Sequence, residues 1–171
     1  MTASPINFSP EQITALFIEA ARSGDMDLLR QFLDAGMDIN AADARGYTAL
    51  IIAAYNGHEE AVRLLLEKGA APDIMDLKGA TALSGVAFKG NLAIAECLIA
   101  HGATIDHANH AGRTPLMFAL MFGREEMARR LIQHGASPDI QDAEGVCVRD
   151  IAEKQGLSAL LPTSSQPKTT P

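Results

Sequence analysis

The sequence predicts an all-α solenoid of about five helix–turn–helix units with extended hairpin loops, and two observations support this. The first is a period of 33 residues in the glycines: Gly46, Gly79, Gly112 and Gly145 form one column, Gly36, Gly69, Gly102 and Gly135 a second, and Gly24, Gly57, Gly90, Gly123 and Gly156 a third. Thirteen of the 14 glycines fall in these registers, which scattered loop glycines would not do, so the chain reads as an array of one repeated unit. The second is what lies between the columns. One column follows a short helical segment and another a longer one, as helix-ending glycines should, and the third falls in the long connection before the next helix.

Taken in order, residues 1–9 form a lead, and Ser9, Pro10 and Gln12 supply an N-cap, a first-turn proline and a capping-box partner for the opening helix. The predicted units are 10–42, 43–75, 76–108, 109–141 and a truncated 142–161. In the second helix of the middle units, Val62, Leu65 and Leu66, then Ala95, Leu98 and Ile99, then Ala128, Leu131 and Ile132 recur at equivalent positions and read as core, as do Leu50, Ala53 and Ala54 in the first helix. The end of the chain, "PTSSQPKTTP" over 162–171, is polar and proline-rich and is expected to be a disordered tail.

The middle units, "DARGYTALIIAAYNGHEEAVRLLLEKGAAPDIM", "DLKGATALSGVAFKGNLAIAECLIAHGATIDHA" and "NHAGRTPLMFALMFGREEMARRLIQHGASPDIQ", resemble the ankyrin repeat. They match its loop Asp and Gly, its Thr-Pro-Leu-His-like helix start, its Gly-His turn and its Leu-Leu-x-x-Gly-Ala ending, and the resemblance spans roughly residues 10–160. One departure is consistent: the start reads "TALI", "TALS", "TPLM" and "CVRD", so the histidine that links neighbouring repeats in the family is absent, and greater reliance on apolar packing is expected. Another is Gly85, which stands where the other units carry Ile52, Phe118 and Ile151; the expectation is that Phe118 of the next unit fills the gap.

Composition excludes several functions. A net charge of −7 and a pI near 5.1 argue against nucleic-acid binding. The longest apolar run, Pro115 to Phe122, falls well short of the roughly 20 residues a membrane span needs. The first residues have neither a basic start nor a long apolar stretch, so no secretory signal is read and a cytoplasmic location is expected. Cys97 and Cys147 read as small buried hydrophobes rather than a disulfide. His107 and His110 form an H-x-x-H that nothing nearby completes into a zinc site. No phosphate-cradling loop, dinucleotide fingerprint or nucleophile elbow occurs, so neither cofactor nor catalysis is expected.

The resemblance implies instead a non-enzymatic module, monomeric, that binds a partner protein on its concave face. Carried over by position, the loop set is Arg45, Tyr47, Leu77, Lys78, His110, Arg113 and Glu144, and the set ending the first helices is Tyr55, Asn56, Phe88, Lys89, Met121 and Phe122. Tyr55, Phe88 and Met121 share one register and would form an apolar stripe. The aspartates of the loops, Asp43, Asp76 and Asp142 among them, read first as turn residues and second as an acidic row steering a basic partner. An alternative role is that of a small, bacterial-type inhibitor, immunity or accessory protein dedicated to one enzyme or toxin.

Overall fold

The computed structural model describes residues 8–162 of the 171-residue chain. The lead before Phe8 and the tail after Pro162, including its expected disorder, lie outside the described residues. Four helix pairs follow one another: α1 (Pro10–Ser23) with α2 (Met26–Asp34), α3 (Ala49–Asn56) with α4 (Glu59–Glu67), α5 (Ala82–Lys89) with α6 (Leu92–Ala100), and α7 (Pro115–Met121) with α8 (Glu125–Gln133). The array closes with α9 (Val148–Lys154) and a short 3-10 turn, Ser158–Leu160. The first helices stack in series, α1 on α3 on α5 on α7 on α9, and the second helices form a parallel row behind them. Among the described residues the only extended pairing is two isolated bridges, Ala42 with Thr48 and Gln141 with Cys147, at the bases of hairpins.

Local chemistry starts and ends these helices. Ser9 and Gln12 form the capping box expected of α1. The hydroxyls of Thr48 and Thr114 accept the N–H groups of Ile51 and Met117, and Asp25 and Asn91 cap α2 and α6 in the same way. All 13 periodic glycines have φ between 64° and 93°, which accounts for their spacing. Gly46 is required twice over, because a Cβ there would stand 2.9 Å from the backbone of Asp76. That closeness comes from hairpins stacked by backbone bonds: Leu77 N–H to the Arg45 carbonyl (3.0 Å), His110 to Lys78 (2.9 Å) and Ala143 to Ala111 (2.9 Å).

The core runs the length of the array. Leu50, Val62, Leu65, Leu98, Leu116, Leu120, Ala128 and Leu131 are buried as the periodicity indicates, each of the larger ones contributing roughly 1.5–3 kcal/mol. Ile99 and Ile132 are only half-buried, at the edge of the second row. Phe17, Met117 and Met127 complete the interior.

The expected reliance on apolar packing needs correction, because other polar links stand in for the missing histidine. The His58 ring meets the Arg22 carbonyl at 2.8 Å, and Arg124 Nε donates to the Phe88 carbonyl at 3.1 Å, so both reach the end of the preceding first helix from the same register two units apart. A second series comes from Asn40, Asp73 and Asp106, again one period apart, which accept the N–H groups of Ala71 (2.9 Å), Thr104 (2.9 Å) and Ser137 (3.1 Å) in the following unit. Burial pushes the Asp106 carboxyl above its usual range, and the Ser137 N–H only partly opposes this.

Candidate functional site

The ends of the first helices and the hairpin tips share one face, the concave side of a repeat stack. On it, three aromatic rings from three successive units touch. Tyr55 and Phe88 stack with centroids 6.3 Å apart and planes 7° from parallel, and Phe122 meets Phe88 edge-on at 4.4 Å. The ammonium of Lys89 lies 4.3 Å from the centroid of Tyr55, close enough for a cation–π contact. Tyr55 and Phe122 remain 43% and 45% exposed, so the ladder is open to a partner at both ends, while Phe88 between them is half-buried.

The third rung differs from the sequence expectation. Met121, one period after Phe88, is half-buried against the core, and Phe122 takes its place in the ladder. α7 ends one register position earlier than α3 and α5, at Met121, so Phe122 is its C-cap at φ −105° and its ring reaches Phe88 from there. The lean of helical side chains toward the N-terminus of their own helix corrects the expectation for Gly85. No atom of Phe118 lies within 4 Å of a Cβ built at Gly85; the one neighbour is Cδ2 of Tyr55, at 3.3 Å, leaning back from the preceding unit. The gap is not filled from the next repeat. It forms part of a cavity of about 380 Å³ between α3, α5 and the hairpins before them.

The hairpin residues divide by their partners. Arg45, Lys78 and His110 are exposed, and Leu77 is 70% exposed at its tip. Tyr47 packs half-buried on the core. Arg113 is held by Asp142 (3.4 Å) and Glu144 (3.5 Å) of the next hairpin, and the amide of Asn56 donates to the Ile52 carbonyl, closing α3. Asp43, Asp76, Asn109 and Asp142 each turn Oδ1 inward onto two N–H groups of their own hairpin, at 2.8–3.0 Å. These side chains build the loops. The N–H of Val146, helped by that of Glu144 and by Arg113, holds the Asp142 carboxyl below the usual carboxylate range against its burial.

Cys97 and Cys147 are free thiols, half-buried rather than buried, and desolvation pushes the Cys97 thiol up, away from the reactive thiolate. Among the described residues, no three His, Cys, Asp or Glu side chains gather as a metal site would need, and no helix is long and apolar enough to cross a membrane.

Comparison with known families agrees with this architecture. The family profile described as ankyrin repeats (3 copies) matches residues 4–76 and 68–142, which together make up most of the chain. A search of curated proteins returns no match.

Proposed function

Since the chain belongs to the ankyrin-repeat family, whose arrays generally act as protein–protein interaction modules, we propose that it binds a partner protein along the Tyr55–Phe88–Phe122 ladder and the adjoining hairpin tips. The ladder is the observation that supports this reading. Three touching aromatic rings, two of them nearly half exposed, are more apolar surface than an isolated exposed side chain presents, and contiguous patches of this kind mark interaction sites. Aromatic rings beside Arg and Lys are also the residue types that dominate binding energy at interfaces, where truncating one such anchor costs about 2 kcal/mol or more.

The rings are supported from behind, which limits the entropy lost on binding. Phe88 is wedged between its two neighbours, and Arg124, from the α7–α8 turn of the next unit, donates to the carbonyl of Phe88. Leu77 and Lys78 on the second hairpin, and Arg45 on the first, extend the surface to one side. The chain serves here as a rigid non-enzymatic platform whose partner supplies any chemistry.

Affinity capture from cells of the source organism, comparing the intact protein with a Tyr55→Ala, Phe88→Ala, Phe122→Ala triple variant of equal helicity, tests the reading. A prey recovered by the intact protein and lost by the variant is expected. Equal recovery by both would place the binding surface elsewhere.

A further inference from the structure

We propose that Gly85 opens a socket on this face that receives one large apolar or aromatic side chain from an acidic segment of the partner. The inference rests on the docking surface proposed above and names the chemistry of what docks there.

Gly85 is not explained by the fold. It is the one glycine outside the 33-residue period and the one glycine whose φ is not positive, lying inside α5 with ordinary helical backbone. A helix interior favours alanine over glycine, so the residue weakens α5 without relieving backbone strain. Close packing does not demand it either, since a Cβ there would meet a single atom, Cδ2 of the part-exposed Tyr55. Its consequence is space. The cavity beside it, about 380 Å³, has Ile51 and Ile52 among its lining, with Tyr47 and Tyr55 bringing aromatic surface, Arg22 and Arg45 positive charge and Asp76 one carboxylate. That volume is at the small end for ligand pockets, suited to one bulky side chain rather than a large cofactor.

Charge selects the segment that carries this side chain. Although the chain has a formal net charge of −7, the side chains of Arg45, Lys78 and Lys89 around this region have no ion-pair partner among the described residues. Arg22 is bound to Glu19 at 3.0 Å, in an exposed pair. The other nearby carboxylates, Asp43 and Asp76, each commit an oxygen to the N–H groups of their own hairpin. Part of the acidic surplus lies behind, at the starts of α4 and α8, with Glu59, Glu60, Glu125 and Glu126. A partner strand approaching the socket therefore meets cations without carboxylate partners, Lys89 lying over the Tyr55 ring, beside the apolar side chains of Ile51 and Ile52. Carboxylates on the strand would be steered and held by guanidinium and ammonium groups while its apolar side chain enters the space at Gly85.

The probe is a phage-displayed library of random dodecapeptides selected on the intact chain, with the enriched peptides resynthesised, labelled and titrated by fluorescence anisotropy. Enriched sequences are expected to combine Asp and Glu with one Phe, Tyr, Leu or Met. Gly85→Ile, which restores the side chain carried at this register by Ile52 and Ile151, is expected to weaken binding by at least about tenfold while leaving the melting temperature unchanged or higher. Arg45→Glu should also weaken it and flatten its salt dependence. Replacing the peptide's own apolar residue by alanine must lose a similar factor, which keeps the test decisive if Gly85→Ile folds poorly. Peptides lost on Phe122→Ala yet bound normally by both Gly85→Ile and Arg45→Glu would overturn the socket and leave the docking face standing. No enrichment, basic consensus sequences, or binding that survives Phe122→Ala as well would overturn the socket, and the last of these would remove the docking face with it.

Discussion

Gly85→Ala adds one methyl group at the middle of α5, and the structure sets the sign of the result. Alanine is favoured over glycine in a helix interior by about 0.8–1.0 kcal/mol, and the position has no positive φ to oppose the change. The new Cβ would stand 3.3 Å from Cδ2 of Tyr55, a few tenths of an ångström inside an ordinary contact. Tyr55 is 43% exposed and can swing outward by that amount, so the contact should return only a few tenths of a kcal/mol of the gain. The expected net effect is a stabilisation of roughly 0.5–1 kcal/mol, a rise in melting temperature of about 2–4 °C at the upper end. Urea denaturation followed by far-ultraviolet circular dichroism measures it, with an unchanged m value showing that the exposed surface on unfolding is the same. Destabilisation by more than about 0.5 kcal/mol would show that Tyr55 cannot yield. Gly85 would then be a packing requirement, and the argument that its cost in stability serves binding would fail.

Other perturbations follow from the same geometry. Leu98→Ala empties a fully buried position and should cost about 2–5 kcal/mol in chemical denaturation; a loss under about 1 kcal/mol would mean the second row is loosely packed. Thr114→Ala removes the hydroxyl that caps α7 and should cost about 1 kcal/mol, whereas Thr81→Ala should cost less, because the Thr81 hydroxyl faces Ser84 at 3.4 Å and caps no N–H group; equal losses would contradict the capping assignment. The Asp142 carboxyl is held low chiefly by the Val146 N–H, so its contribution is present above the unfolded pKa of about 3.9 and is lost as pH falls through the lower folded value. Asp142→Asn should therefore flatten the acid limb of the stability profile below about pH 4, and an acid limb as steep as that of the unaltered protein would refute the assignment.

The repeat was legible in the sequence because its signal is backbone conformation: each periodic glycine sits at positive φ, so the demand recurs every 33 residues. The buried positions of the middle units were legible for a similar reason, since apolar residues recur at one register from unit to unit, as Leu50, Leu83 and Leu116 do and as Leu65, Leu98 and Leu131 do. Contacts between units were harder. Comparing equal registers pairs Phe88 with Met121, whereas α7 ends one position early and its capping residue, Phe122, meets Phe88 instead. Equal registers likewise point to Phe118 at the space beside Gly85, whereas Tyr55 of the preceding unit, leaning back by about one turn, borders it. His58 and Arg124 could have been found as substitutes for the missing histidine, since both are long donors at one register just after the turn glycine, but their acceptors are backbone carbonyls that no residue pattern reveals. Asp43, Asp76 and Asp142 act as turn builders because two N–H groups of their own hairpin converge on one oxygen, a geometry set by the Asp-x-x-Gly order, whereas Asp73 and Asp106 bond the following unit.

The docking surface itself is tested most directly by site-specific photo-crosslinking. p-Benzoylphenylalanine is placed in turn at Tyr55, at Phe122 and, as the contrasting site, at the exposed Arg129 of α8, and the protein is irradiated with its captured partner. Covalent adducts from the Tyr55 and Phe122 positions, with none from Arg129, are the predicted result. Adducts from Arg129 alone would contradict it and move the interface to the opposite side of the array.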